Sequence, residues 1–206
     1  MEVKICGLTN VEDARVALEA GADYLGFVLY AKSPRAVTAE KVATIVEKLG
    51  GGARAIGVFV NETPESVADV VKRCGLYGAQ MHGDEAPGGF FELDFPVWRA
   101  VWVKNGVTKP DPASWQAERY VIDAAAPGQY GGSGLTTDWE VASGISRRVP
   151  VMLAGGLHPG NVDEAIRQVH PLGVDVSSGV EATVGRKDHD AVRQFVAVAK
   201  SALPAM

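Results

Sequence analysis

The chain has 206 residues, of which 47% are hydrophobic and 22% charged, and its formal net charge at pH 7 is −5. This length and balance are ordinary for one globular domain and lie near the lower size limit of an eightfold barrel. The acidic net charge argues against a nucleic-acid binder, which usually carries a basic face. An anionic ligand would need a local cationic site, because the overall field of the protein would repel it.

The cysteine content and the N-terminal residues indicate the cellular compartment in which the protein works. Two cysteines, Cys6 and Cys74, are too few for the disulfide framework of a secreted scaffold, which favours a reducing compartment. The opening MEVKICGLTN lacks the basic and apolar segments of a signal peptide, and no apolar run reaches the length of a membrane span. We therefore expect a cytoplasmic protein without a membrane partner.

Short apolar runs alternate with amphipathic segments along the whole chain. Short apolar runs are typical of strands buried on both faces, as in parallel sheets. Eight strands are predicted, over 3–6, 24–29, 54–60, 77–82, 97–102, 120–123, 151–154 and 174–177. The predicted helices cover 11–20, 38–49, 64–74, 138–144, 161–169 and 189–202. Capping residues support several of these bounds, such as Asn10 before the first helix and Gly21 after it.

Eight strands alternating with helices predict an α/β protein with a parallel sheet. Because the chain is short and shows one composition throughout, a single-domain (β/α)8 TIM barrel over residues 1–206 is favoured. The alternative is a doubly wound open sheet. In a barrel, the active site lies at the carboxyl ends of the strands.

Polar residues end four of the predicted strands, and three of them, Cys6, Asp123 and His82, are candidates for chemistry. Cys6 is either a buried thiol that packs like a small hydrophobe or a general base or nucleophile at the barrel mouth. Asp123 ends an apolar strand, where a carboxylate must be paired, protonated or at the mouth. It is interpreted as a general acid or base, with capping of the next loop as the alternative. His82 either satisfies a backbone group or contacts a substrate.

Glycine-rich turns follow the seventh and eighth strands, in AGGLHPGN and DVSSGVE. In this fold, backbone N–H groups of such turns hold phosphate groups. The turns contain Gly155, Gly156, Ser178 and Gly179 and predict a small phosphorylated ligand. In the KSPR segment, Arg35 is either a solvated charge or grips a carboxylate through two parallel hydrogen bonds.

Three further predictions concern the barrel interior, metals and a loop. Lys4 shares a strand face with Cys6, and the first and eighth strands are neighbours in a closed barrel. We therefore expect a mainly structural ion pair between Lys4 and Asp175. The histidines show no metal-ligand spacing, so neither a metal nor a cofactor is expected. The long glycine-rich segment 124–137 is predicted to be a lid or a substrate clamp.

The motifs taken together resemble the phosphoribosylanthranilate isomerase family. Eight of them fall in the family's order from one end of the chain to the other. They are KICGLTN, GFVLYAKSPR, GVFVNE, QMHGDE, YGGSGLTTDW, AGGLHPGNV, DVSSGVE and GRKDH. The resemblance implies a cofactor-free Amadori rearrangement of N-(5′-phosphoribosyl)anthranilate in tryptophan biosynthesis.

The resemblance also implies roles for single residues. Asp123 would be the general acid that opens the furanose ring, and Cys6 the general base that takes the C2′ proton. Arg35 would bind the anthranilate carboxylate, and the two glycine-rich turns would bind the phosphate. One departure from the family is Val184, where a proline commonly stands, so we expect a looser loop there.

Two alternatives remain, one a related enzyme and one a protein of a different class. The isomerase of the histidine pathway performs the same rearrangement on a larger substrate, but it would be expected to carry an aspartate where Cys6 stands. A non-catalytic phosphate-binding barrel would keep the glycine-rich turns and could lose Cys6 or Asp123. The sequence does not predict the oligomeric state.

Overall fold

The structure is a computed structural model that describes residues 1–104, 107–123 and 138–202. Its described part is built around eight parallel strands. They are β1 (Glu2–Ile5), β2 (Tyr24–Val28), β3 (Arg54–Phe59), β4 (Gly78–Met81), β5 (Val97–Lys104), β6 (Arg119–Asp123), β7 (Val151–Leu153) and β8 (Gly173–Val176). Each strand pairs with the next, and β8 pairs with β1, which closes the sheet. The predicted (β/α)8 barrel is confirmed, and the open-sheet alternative is wrong.

Six α-helices surround the barrel in the described residues. They are α1 (Val11–Glu19), α2 (Ala39–Leu49), α3 (Pro64–Cys74), α4 (Trp139–Ser146), α5 (Val162–Val169) and α6 (His189–Ser201). Side-chain caps define most of their starts, and Asn10 accepts a hydrogen bond from the Asp13 N–H as predicted. After β4, the stretch with Pro87 and two glycines forms a 3-10 helix, Gly88–Glu92, where an α-helix would complete the pattern.

Three short strands were not predicted. Val107–Lys109 pairs antiparallel with β5, and Glu181–Thr183 forms a hairpin with Arg186–Lys187 after β8. The hairpin contains Val184, where a loose loop was expected. The Gly185 carbonyl accepts a hydrogen bond from Thr9 at 2.6 Å, which ties the hairpin to the loop after β1. This hydrogen bond does not measure how loose the turn is at Val184, and that expectation stays a prediction.

The barrel interior is layered. Its apolar part is a buried cluster with Tyr24, Ile56, Trp98, Val121 and Met152. Two residues beyond Val121 on the same strand face is Asp123, and the polar residues Cys6 and His82 directly follow β1 and β4. A larger apolar core fills the space between the strands and the helices. In the described part of the chain, no helix is both long and apolar enough to cross a membrane.

Candidate active site

A pocket with about 770 Å³ of empty space lies at the carboxyl ends of the strands. All eight predicted site residues line it: Cys6, Arg35, His82, Asp123, Gly155, Gly156, Ser178 and Gly179. They come from six strand ends or the loops after them, because parallel strands of a barrel end at the same face. The predicted lid over 124–137 lies outside the described residues.

Cys6 lines the pocket, is partly exposed, and packs against β2. A Cβ added to Gly26 would stand 2.6 Å from the Cys6 Sγ, so the missing side chain at this position makes room for the thiol. Below it, Lys4 Nζ is 2.8 Å from Asp175 Oδ2, which confirms the predicted ion pair. Burial raises the pKa of the Cys6 thiol, and the neighbouring Lys4 charge opposes that rise only in part.

Lys4 is fully buried, and its charge is maintained by its neighbours. Burial alone would lower the pKa of Lys4, but Asp175 and Cys6 outweigh that effect and the pKa is raised. Lys4 is therefore a fixed positive charge beside the thiol. Cys74, the other cysteine, is a free thiol in α3, and its sulfur contacts the Ala39 carbonyl away from the pocket.

His82 and Asp123 are neighbours in the pocket lining. His82 Nε2 lies 3.9 Å from Asp123 Oδ2. With the amide oriented as in the structure, the Gln80 Nε2 donates to His82 Nδ1 at 2.9 Å, so the proton of a neutral imidazole is on Nε2. Burial, with the charges of Lys4 and Arg99, lowers the pKa of His82 to about 3. His82 thus presents a neutral N–H donor to the pocket.

The loop that carries His82 is held by a buried ion pair. Arg99 in β5 lies 2.6 Å from Glu85 and donates a second hydrogen bond of 2.6 Å to the Gly83 carbonyl. The Glu85 carboxylate also accepts hydrogen bonds from the backbone N–H groups of Asn61 and Gly83. These contacts fix the backbone directly after His82.

The two glycine-rich turns contact each other. Gly155 and Gly156 have φ values of 83° and 66°, in the left-handed region that favours glycine. At Gly179 an added Cβ would collide with the Leu157 carbonyl oxygen, so the turn after β8 packs directly on the turn after β7. Asn161 donates to the Gly156 carbonyl at 3.0 Å and supports the first turn. The arrangement leaves small residues facing the pocket, as a phosphate cradle requires.

Arg35 is held by a residue that the sequence analysis did not single out. Its Nε and Nη2 donate to the two oxygens of Glu181 at 2.8 and 2.7 Å. Lys187 donates to the same carboxylate at 3.0 Å and to the Ser177 carbonyl at 2.9 Å. Glu181 lies in the motif DVSSGVE and Lys187 in the motif GRKDH, and both motifs had been noted. The hairpin that brings the two residues together had not been predicted.

Burial and ion pairing together shift the pKa values of Glu181 and Lys187. Burial would raise the pKa of Glu181, but the hydrogen bonds and charges of Arg35 and Lys187 outweigh this and lower it. Burial also lowers the pKa of Lys187, against the opposing charge of Glu181. Across residues 1–104, 107–123 and 138–202, no group of three His, Cys, Asp or Glu side chains could hold a metal ion.

Comparison with known proteins gives matches along nearly the whole chain. A family model described as N-(5′-phosphoribosyl)anthranilate (PRA) isomerase matches residues 3–198. A relative from Trichlorobacter lovleyi, named N-(5′-phosphoribosyl)anthranilate isomerase, is 48% identical over 205 residues, which cover 98% of this chain and 100% of the relative.

Solved structures agree with these matches. Phosphoribosyl anthranilate isomerase from Thermus thermophilus superimposes with a TM-score of 0.87 at 34% identity, covering 98% of this chain and 99% of that one. A phosphoribosyl anthranilate isomerase in complex with reduced 1-(o-carboxyphenylamino)-1-deoxyribulose 5-phosphate has a TM-score of 0.82 at 36% identity, covering 97% and 98%.

Proposed function

Because the chain belongs to the N-(5′-phosphoribosyl)anthranilate isomerase family, we propose that it converts N-(5′-phosphoribosyl)anthranilate to 1-(2-carboxyphenylamino)-1-deoxyribulose 5-phosphate. The reaction is an Amadori rearrangement and a step of tryptophan biosynthesis. One observation carries the proposal: Cys6 and Asp123 line the same pocket as the two contacting glycine-rich turns. An acid, a base and a phosphate cradle are the groups that this isomerisation needs.

Asp123 and Cys6 would act in sequence. Protonated Asp123 gives its proton to the furanose ring oxygen, the bond from C1′ to that oxygen breaks, and a Schiff base forms. Cys6, once ionised beside the Lys4 charge, takes the C2′ proton as its thiolate, and the enolamine that results tautomerises to the ketone. Neutral His82, whose Nε2 lies 3.9 Å from Asp123 Oδ2, can donate its Nε2–H to a substrate oxygen.

The glycine-rich turns and Arg35 would hold the two charged ends of the substrate. Backbone N–H groups around Gly155, Gly156, Ser178 and Gly179 would bind the phosphate. The guanidinium of Arg35 would bind the anthranilate carboxylate. A cytoplasmic location belongs to the same proposal, since both cysteines are free thiols and a thiol base needs a reducing compartment.

The test is isomerase activity on freshly generated phosphoribosylanthranilate, followed as loss of anthranilate fluorescence. Cys6→Ser and Asp123→Asn are each expected to slow turnover by roughly a hundredfold or more. Cys74→Ser is the matched control, because it removes the other free thiol, which does not line the pocket, and it should retain wild-type turnover.

Two outcomes would contradict the proposal in different ways. An inactive wild-type protein, folded by circular dichroism, would refute the substrate. An active wild-type protein whose Cys6→Ser and Asp123→Asn variants keep normal rates would leave the substrate in place and refute the acid–base roles.

A further inference from the structure

Three charged side chains form a buried triad on one side of the pocket, and the steps above use only one of them. The Arg35–Glu181–Lys187 triad has Glu181 at its centre, bonded to Arg35 at 2.8 and 2.7 Å and to Lys187 at 3.0 Å. The Lys187 side chain is fully buried and that of Glu181 is 5% exposed. Buried charges are costly unless they are paired, so this group calls for an explanation.

Glu181 occupies only one edge of the Arg35 guanidinium. The pair uses Nε and Nη2, and a guanidinium carries five N–H donors on two edges. Among the described residues, Glu181 is the group that bonds this side chain, so Nη1 and the second hydrogen of Nη2 remain for a ligand. That second edge matches the geometry of another carboxylate.

Close packing sets the direction of the Arg35 side chain. Gly7 has a φ of 71°, and a Cβ there would lie 2.7 Å from both Arg35 Cδ and Ser177 Oγ. The arginine stem therefore passes directly over the Gly7 backbone. Arg35 lines the pocket. Because its stem is held by packing and one edge of its guanidinium is bonded to Glu181, the guanidinium has little freedom to rotate within the pocket wall.

The charge balance of the triad depends on Lys187. An Arg35–Glu181 pair alone is neutral, and a neutral pair attracts a second carboxylate only weakly. Lys187 adds a positive charge, so the triad carries a net charge of +1. A local excess of this kind is needed in a protein whose overall charge is −5.

We propose that Lys187 is a specificity-determining residue that acts through Arg35. It neutralises Glu181, so that Glu181 can orient Arg35 without cancelling its attraction for the carboxylate of the substrate. The inference rests on the proposed function, since it assumes a substrate that carries a carboxylate. Lys187 does not touch that substrate and is a positioning residue.

The test compares two probes by isothermal titration calorimetry. One is reduced 1-(o-carboxyphenylamino)-1-deoxyribulose 5-phosphate, and the other is its phenylamino analogue without the carboxylate. Lys187→Met should weaken the first probe by about tenfold or more, because it makes the triad neutral, and should leave the second nearly unchanged. In kinetics, the same variant should raise KM with little change in kcat.

A double variant separates charge balance from a structural role. Lys187→Met with Glu181→Gln restores the net charge of +1, and it should recover most of the affinity for the carboxylate probe. The matched control is Lys200→Met, which removes a lysine paired with Asp23 at 2.6 Å outside the pocket lining, and both affinities should stay at wild-type values.

The possible results are distinguishable. If Lys187→Met weakens both probes equally, the residue only anchors the Ser177 backbone and the proposal is overturned. It is also overturned if the double variant does not recover affinity. If the wild-type protein binds neither probe, the proposed function itself fails, whereas wild-type binding with unaffected variants refutes only the role of Lys187.

Discussion

Replacing Gly26 by alanine is expected to displace the Cys6 thiol from its position in the pocket while leaving the cysteine itself in place. The added Cβ would stand 2.6 Å from the Cys6 Sγ, 3.0 Å from its Cα and 3.1 Å from its Cβ. Nonbonded heavy atoms are comfortable at about 3.5–4.0 Å, so the sulfur must move by about 1 Å. A displacement of that size can cost about a hundredfold in rate, and we expect kcat/KM to fall accordingly.

The same substitution should cost about 1–3 kcal/mol in the free energy of unfolding, because it overpacks the barrel interior. The matched control is Gly144→Ala in α4, where an added Cβ meets no atom within 4 Å. That variant should keep full activity and gain about 0.5–1 kcal/mol, since alanine favours a helix over glycine. Activity would be followed by anthranilate fluorescence and stability by urea unfolding. A Gly26→Ala protein with wild-type kcat/KM would refute the argument that Cys6 needs this space.

Three other predictions follow from buried charges. The pKa of Asp13 is lowered, because its hydrogen bonds, the largest from the Lys187 backbone N–H, outweigh burial. Asp13→Ala should therefore cost about 1–3 kcal/mol at pH 7, and urea unfolding should show this difference shrinking as pH falls below about 4. Lys4→Met, made in a Cys74→Ser background, should move the midpoint of Cys6 alkylation by iodoacetamide to higher pH. The reason is that the Lys4 charge opposes the burial that raises the pKa of the Cys6 thiol. An unchanged midpoint would show that the two groups do not interact. Glu85→Ala should leave Arg99 buried without its partner and cost about 3–5 kcal/mol, and a melting temperature equal to that of the wild type would contradict this.

The sequence was sufficient to predict the barrel and eight of the residues that line the pocket. Buried parallel strands have a clear apolar signature, and their carboxyl ends meet at one face whatever the loops do. The Lys4–Asp175 pair followed from strand alternation together with closure. The donation from Gln80 to His82 was also within reach, because residues two apart on a strand share a face.

Other contacts could not be predicted from local patterns. Arg35 and Glu181 are 146 positions apart, and the hairpin that brings Lys187 to them consists of strands of three and two residues. Such strands are too short to show a periodicity of two. The 3-10 helix Gly88–Glu92 follows from proline and glycine in a place where the repeat of the fold suggests an α-helix.

Closure of the barrel has a consequence for the order in which the chain can fold. Lys4 enters the interior on the first strand, and its counter-charge Asp175 follows 171 residues later on the last strand. A nascent chain that packed β1 early would bury an ammonium group without a partner, which costs several kcal/mol. We therefore expect β1 to take its final place late in folding, when β8 pairs with it and so both neutralises Lys4 and closes the barrel.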